Sequence, residues 1–551
     1  MEKINLKIKG MTCDSCTHHV TKALASVDGV SEVKINSWES AEAEVILNKE
    51  IDTENLITAV KESGYSAEIQ EEFIENQLSQ NPLEKSDYNL IIIGGGSAAF
   101  AAALKASELE KTVLMINDGL PIGGTCVNVG CVPSKTLIRT AEAFYHSNHP
   151  NFSAIKPGEN IIDFKDAINQ KNELVENLRR KKYINVISDD PNVTVVKGWA
   201  KLHDKNTVEI NGELKSANKI LIATGSSTFI PDIPGLKETK YYLNDTLYEL
   251  DTLPEHLIVI GGRYIALENA QMFVRLGSKV TLLQRSSRIL PTEMPDITDS
   301  LTEYLREEGI NVITDVKISS VSDLNGKVKV MFTSHNVESV VEGSHLFIAT
   351  GRKGNTKDIG LENLGMKFYG NDFIKTDKYL RVDSSNIYAA GDVTGEHLFV
   401  YVAAYQGALA VENAFSEKLT EKNYEPLPWV IFTDPQIAGV GLNENTAAQT
   451  GIDYDVSIFQ VADIPRALAA RNTKGFIKLI RNKADDKLIG ARILASEGSE
   501  LLMEVALAIK YGITIKELRQ MFHPYLTLSE GIKLAAITFD KDVGKLSCCA
   551  S

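Results

Sequence analysis

A chain of 551 residues that is 43% hydrophobic and 24% charged has the make-up of an ordinary globular protein, and the length for three or four domains. Its formal net charge of −15 argues against sequence-independent nucleic-acid binding, which needs a basic surface. The apolar stretch Leu90 to Leu104 is broken by Gly94, Gly95, Gly96 and Ser97 and is too short to span a bilayer; the start, Met-Glu-Lys-Ile-Asn, lacks a signal-peptide core, so a cytoplasmic location is expected.

Ile4 to Lys9 alternates apolar and polar residues, as a strand does. The loop Gly10-Met11-Thr12-Cys13-Asp14-Ser15-Cys16 follows, and His18 to Val27 reads as an amphipathic helix. Val30 to Asn36 and Ala41 to Leu47 read as strands, Thr53 to Glu62 as a helix and Ser66 to Gln70 as a closing strand. That βαββαβ order predicts a ferredoxin-like fold for residues 1–70. The polar segment 71–86 reads as a linker.

From Asp87 the pattern changes. Leu90 to Ile93 is a continuous apolar strand that runs into Gly94-Gly95-Gly96-Ser97-Ala98-Ala99, an alanine-rich helix to about Glu108 and a strand from Thr112 to Ile116. A second copy begins at His256: Leu257 to Ile260, then Gly261-Gly262-Arg263-Tyr264-Ile265-Ala266, a helix, and the strand Lys279 to Leu283. Glycines in such a turn let the backbone approach a pyrophosphate at a helix N-terminus, so two copies point to two nucleotide sites. Each copy is followed by Ala-Thr-Gly, at 223–225 and 349–351. The last 125 or so residues mix the strands Gly475 to Ile480 and Lys487 to Leu494 with a helix from Glu497 to Tyr511, and suit an interface domain.

Six cysteines make up the thiol inventory and fall in three pairs: Cys13/Cys16, Cys126/Cys131 and the adjacent Cys548/Cys549. They are too few for a disulfide framework, and their spacings suggest binding or catalysis. Cys126 and Cys131 follow a glycine-rich turn at an expected helix start, where the dipole lowers a thiol pKa. Their spacing covers about one helical turn, so a disulfide between them is feasible. A vicinal dithiol on the tail Gly544-Lys545-Leu546-Ser547 suits the capture of a soft two-coordinate ion and its release by thiolate exchange.

The paired turns, the two Ala-Thr-Gly strings, Ile387-Tyr388-Ala389-Ala390-Gly391-Asp392 and Gly123-Gly124-Thr125-Cys126-Val127-Asn128-Val129-Gly130-Cys131-Val132-Pro133-Ser134-Lys135 resemble the pyridine-nucleotide disulfide oxidoreductases. The implied class is α/β: two Rossmann-like dinucleotide-binding domains and an α+β dimerisation domain, preceded by the ferredoxin-like metal-binding domain. Implied boundaries are 87–230 and 356–424 for FAD, 231–355 for NADPH, and 425–551 for dimerisation with the Cys–Cys tail. Within the FAD site the resemblance implies Gly94 and Gly96 at the turn, and Ala99, Gly119 and Thr125 about the pyrophosphate and ribose. It implies Ala200 at the adenine, Asp392 on the ribityl chain, and Lys135 and Val400 by the flavin ring. Cys131 would face the flavin and Cys126 would exchange with substrate. Gly261 and Ala266 would frame the NADPH turn.

Both sites depart from that pattern. Asn117-Asp118 stands where an acid would hold the adenosine ribose of FAD. In the second site Arg263 replaces the middle glycine, Gln284 replaces the acid, and Arg285 and Arg288 follow, which favours NADPH over NADH.

Gly-Met-Thr-Cys-x-x-Cys is similar to the loop of heavy-metal-associated domains, with Tyr65 beside the metal. Near the C-terminus, disulfide reductases of this superfamily carry a His/Glu pair as general base. Here His523-Pro524 lies two places too far upstream of Glu530, and Tyr525 falls where the base belongs. A phenol, of reference pKa about 10, is a poor base at neutral pH. With its three thiol pairs the chain resembles the mercuric reductase family, whose buried mercury site Tyr183 and Tyr525 would line. That implies a homodimer with active sites shared across the interface and Hg(II)-thiolate as substrate. Hg(II) would pass from Cys13/Cys16 to Cys548/Cys549 of the other subunit, then to Cys126/Cys131, and leave as Hg(0). Two alternatives remain: an NADPH-dependent disulfide reductase with a fused metal module, and a metal-sequestering protein whose flavin core keeps thiols reduced.

Overall fold

The computed structural model describes residues 2–11, 14–35, 37–38, 40–49, 51–69, 88–324, 326–383 and 386–541. Cys13, Cys548, Cys549 and the expected linker lie outside the described residues.

The first unit has the predicted βαββαβ order: strands Glu2–Lys9, Val30–Lys34, Glu42–Leu47 and Ser66–Ile69, and helices Asp14–Ala25 and Glu54–Glu62. Glu2–Lys9 pairs antiparallel with both Glu42–Leu47 and Ser66–Ile69, and Val30–Lys34 closes one edge. The first helix begins at Asp14 rather than the expected His18, because Cys16, Val20 and Leu24 recur at one helical spacing and are buried together.

The second unit is a mostly parallel sheet. Tyr88–Ile93 lies between Val113–Asn117 and Glu213–Ile222, with the helix Ser97–Glu108 as crossover. Both faces are covered, so Leu90, Ile91, Ile92 and Ile93 are all buried. The short strand Ile387–Ala389 returns from far along the chain to pair in parallel with Glu213–Ile222. A third unit repeats the motif: His256–Ile260, the helix Tyr264–Leu276 and Lys279–Leu283, whose two strands pair in parallel.

The two glycine turns are built alike. Gly94 has φ 127° and Gly261 φ 135°. A Cβ on either would clash with a backbone carbonyl, that of Ala223 or Ala349 respectively. Each Ala-Thr-Gly string thus supplies the wall against which its own glycine turn packs, a close approach that only glycine permits.

The last unit is a five-stranded sheet in the order Trp429–Ile431, Gln436–Gly441, Leu488–Ala495, Phe476–Asn482, Tyr454–Gln460. The helices Gly498–Lys510 and Glu530–Thr538 pack on it. Met503, Leu507, Tyr511, Met521 and Phe522 stand exposed on this unit, Phe522 completely. Buried ion pairs join it to the third unit: Arg275 meets Asp434 at 2.9 Å and Lys478 meets Asp296 at 2.5 Å. Cutting one partner from such a pair leaves a buried charge, at a cost of about 3–5 kcal/mol. Among the described residues no helix is long and apolar enough to cross a membrane.

Candidate active site at the thiol pair

Cys126 and Cys131 do not share a helix, contrary to the expectation from their spacing. Cys126 lies in the short helix Gly124–Asn128, and Cys131 opens the long helix Cys131–Asn148. Val129 and Gly130 break the chain between them. Gly130, the N-cap, has its Cα packed so that a Cβ would lie 2.8 Å from the Thr125 carbonyl oxygen. The break brings both thiols to the border of one cavity, and a hydrogen bond between them pulls their pKa values apart.

That bond sets the electrostatics. The hydrogen bond from Cys126 holds the Cys131 thiol below its usual range; burial opposes this and the charge of Lys135 assists. Cys126 is pushed up by the same bond and by burial. In the reduced pair Cys131 is therefore the thiol that ionises first, and Cys126 keeps its proton longer. Lys135, one turn further along the helix, is held by Glu268 at 2.7 Å and lies over the Phe432 ring at 4.7 Å.

Both thiols border a cavity of about 1060 Å³, at the upper end of small-molecule sites. Gly96, Thr125, Lys135, Asp392 and Val400 border it as well. Gly96 and Ser97 present the N-terminus of the helix Ser97–Glu108, an arrangement that receives a pyrophosphate. Asp392 accepts a hydrogen bond from Ser226 Oγ at 2.8 Å, with Arg352 Nε 3.6 Å away. These residues fit an extended flavin dinucleotide. Other expected residues stand back from the cavity. Gly94 forms the rear of the turn and Ala99 is fully buried in the helix behind it. Ala200 packs inside the strand Ala200–Leu202, and Gly119 lies on the exposed turn after Asn117.

In the second turn Arg263, Tyr264 and Ile265 border the cavity, while Ala266 is buried behind Gly261. Tyr264 stacks on Trp429 with centroids 6.0 Å apart. Arg285 is exposed and Arg288 half-buried on the loop beyond Lys279–Leu283.

Tyr183 lies beside the thiols. The helix Phe164–Arg179 widens at Arg180–Ile184, and the Tyr183 ring packs edge-on to Phe100 at 4.9 Å. Burial raises its phenol pKa, a hydrogen bond with Ser97 opposes this, and the charges of Cys126 and Cys131 add to the rise. Tyr525 is 53% exposed on the last unit. On the same loop His523 Nε2 meets Glu504 Oε1 at 2.6 Å, which raises the imidazole pKa against the pull of burial. In the first unit Cys16 is buried and Tyr65 packs against the same core.

Sequence reasoning missed Glu268 and Arg352. Glu268 had a signal: an acid among Ala266, Leu267 and Ala270 on the buried face of a helix rarely goes unpaired. Arg352 directly follows the second Ala-Thr-Gly and reaches Ser226 Oγ at 2.6 Å.

Three family models match the chain: pyridine nucleotide-disulphide oxidoreductase over residues 88–407, its dimerisation domain over 427–536, and the heavy-metal-associated domain over 5–66. Mercuric reductases of Bacillus cereus and Lysinibacillus sphaericus are each 40% identical over 100% of this chain, and over 87% and 100% of their own lengths. Among solved structures, the Cu(II) complex of the HOCl-induced flavoprotein disulfide reductase RclA from Escherichia coli aligns with TM-score 0.74 at 30% identity. It covers 82% of this chain and 99% of its own. On its fold, its thiol pair and these relatives, the chain belongs to the mercuric reductase family of the pyridine nucleotide-disulphide oxidoreductases.

Proposed function

We propose that the chain is an NADPH- and FAD-dependent reductase that converts Hg(II) to Hg(0). The carrying observation is the Cys126/Cys131 pair, both thiols bordering one dinucleotide-sized cavity. FAD, when bound, supplies the two-electron relay between NADPH and the substrate. Overall, NADPH and Hg(II) give NADP⁺, H⁺ and Hg(0).

The chain's own residues handle the metal. The Cys131 thiolate and the Cys126 thiol offer two soft ligands at one point, and a pair outcompetes single thiols through effective concentration. Exchange of Hg(II) onto Cys126 releases its proton, so the Cys131 hydrogen bond is lost as the second Hg–S bond forms. Lys135, held by Glu268, keeps positive charge beside the pair. Tyr183, beside the thiols, would line the mercury site. Cys13/Cys16 and Cys548/Cys549 serve as earlier stations, the tail reaching the partner subunit's site within a homodimer. The need for NADPH and for reduced thiols fits a cytoplasmic location.

A second reading, an organic disulfide reductase, draws on the His523/Glu504 pair, a candidate acid–base dyad. One assay separates the two. Purified yellow protein is given NADPH and HgCl2 with excess thiol, and volatile mercury is trapped. Catalytic NADPH oxidation with trapped Hg(0) is expected. Flavin bleaching without mercury-dependent turnover, together with turnover of glutathione disulfide, would favour the second reading.

A further inference from the structure

One amide anchors the loop that follows the second glycine turn. Gln284, just after the strand Lys279–Leu283, is 6% exposed. Its backbone is tied on both sides: its N–H donates to the Ile313 carbonyl at 2.9 Å and its carbonyl accepts from Val316 N–H at 3.0 Å. Its side chain crosses the face of Gly262, where a Cβ would meet it at 2.8 to 3.0 Å. Its Nε2 donates to the Arg288 carbonyl at 3.2 Å. From the other end of the loop, Leu290 N–H donates to the Gly262 carbonyl at 2.9 Å, with Leu290 at φ 43°. The loop bearing Arg285 and Arg288 is therefore tied at both ends to the dinucleotide turn, next to Arg263 at the cavity rim.

The first half repeats the device. Asn117 occupies the equivalent position, fills the space a Gly95 Cβ would need, and donates from Nδ2 to the Leu120 carbonyl at 3.0 Å. Recurrence at both equivalent positions argues against a chance contact. These are the positions where a dinucleotide site ordinarily keeps a carboxylate for the ribose 2′-hydroxyl.

We propose that Gln284 is a positioning residue that sets the specificity of the second site for a 2′-phosphorylated dinucleotide. It acts by fixing the arginine loop, beyond merely lacking the charge that would repel the phosphate. A carboxylate at 284 has no proton for the Arg288 carbonyl and sets two acceptors face to face. An apolar side chain of similar size removes the donor and adds no charge. If absence of charge were the whole effect, Gln284→Leu would keep the preference; anchoring predicts that it is lost.

The inference rests on the second turn being the NADPH site, and the test separates the two. Isothermal calorimetry on the oxidised, mercury-free holoenzyme compares 2′,5′-ADP with 5′-AMP, which differ only by the 2′-phosphate. For Gln284→Leu, 2′,5′-ADP affinity is expected to fall about tenfold while 5′-AMP affinity moves less than about twofold. Gln284→Met, neutral and of similar length but without a donor, should behave alike, and guards against a folding artefact; bound flavin and the melting temperature provide the fold check. Anaerobic flavin bleaching by NADPH and by NADH gives the same ratio independently. Wild-type 2′,5′-ADP affinity in both variants overturns the anchoring role. A wild-type protein that binds 2′,5′-ADP no better than 5′-AMP overturns the NADPH assignment instead.

Discussion

The chemistry of the site turns on which sulfur holds the proton. The hydrogen bond between Cys126 and Cys131 is the largest influence holding the Cys131 thiol low; Lys135 adds to it and Glu268 subtracts. The reactive species is the thiolate. A thiol whose pKa is lowered reacts below the pH at which free cysteine does, and loss of the lowering group moves its profile to higher pH. Alkylation of the reduced protein by iodoacetamide, followed against pH and read by peptide mass, should show Cys131 titrating below the usual thiol range. Both Cys126→Ala and Lys135→Met should shift its midpoint upward, Cys126→Ala by more. A midpoint unmoved in Cys126→Ala would remove the hydrogen bond from the account. The residue types of this site were legible in the sequence, since a cysteine pair after a glycine turn has few other uses. Glu268 was not assigned, because its partner Lys135 lies 133 positions away and only the packing of two helices brings them together. Cys13, Cys548 and Cys549 lie outside the described residues, and their roles rest on resemblance.

Among the elements, the glycine turns and their strands were readable and the thiol loop was not. Continuous apolar strands ending in glycine leave little choice but a buried parallel sheet. The spacing of Cys126 and Cys131, by contrast, fits either one helix or two helices meeting at a break. The choice is made by the Thr125 carbonyl and the Gly130 backbone packing against it, which no local pattern records. The turn before the thiols carries a second constraint. Gly124 has φ 64°, and a Cβ there would lie 2.6 Å from Gly96 Cα. Gly96 is backbone at the cavity wall, so it cannot yield without moving the helix start that receives the pyrophosphate. Gly124→Ala adds about 1–2 kcal/mol of left-handed strain to that clash. The purified variant should lose most of its flavin, seen as a lower ratio of absorbance at 450 nm to 280 nm, while circular dichroism stays near wild type. Full flavin content would show that the two turns tolerate separation.

For the whole molecule the question is whether Tyr525 and the C-terminal thiols reach Cys126 of the partner subunit. Tyr525 stands half exposed among Met521, the fully exposed Phe522 and Leu526. Monomers rarely leave so many large apolar side chains in water together, and residues 427–536 match a dimerisation domain. A two-fold dimer through this unit would bury this face and bring each subunit's C-terminal unit to its partner, where the same surface would meet itself. The sharing is testable without any view of the tail. One chain carries Cys126→Ala with an intact tail, and the other carries Cys548→Ala and Cys549→Ala with an intact Cys126/Cys131 pair. Co-expression at equal levels makes half the dimers mixed. If sites are shared across the interface, one of the two sites in a mixed dimer combines an intact pair with an intact tail. Mercury-dependent NADPH oxidation in excess thiol should then recover to about a quarter of the wild-type value, although each parent alone is nearly inactive. If each site is built within one subunit, every site carries a lesion and the mixture stays as inactive as its parents. Activity confined to the mixed dimer, isolated with two different affinity tags, would place the last thiol exchange between subunits and make dimerisation a condition of turnover.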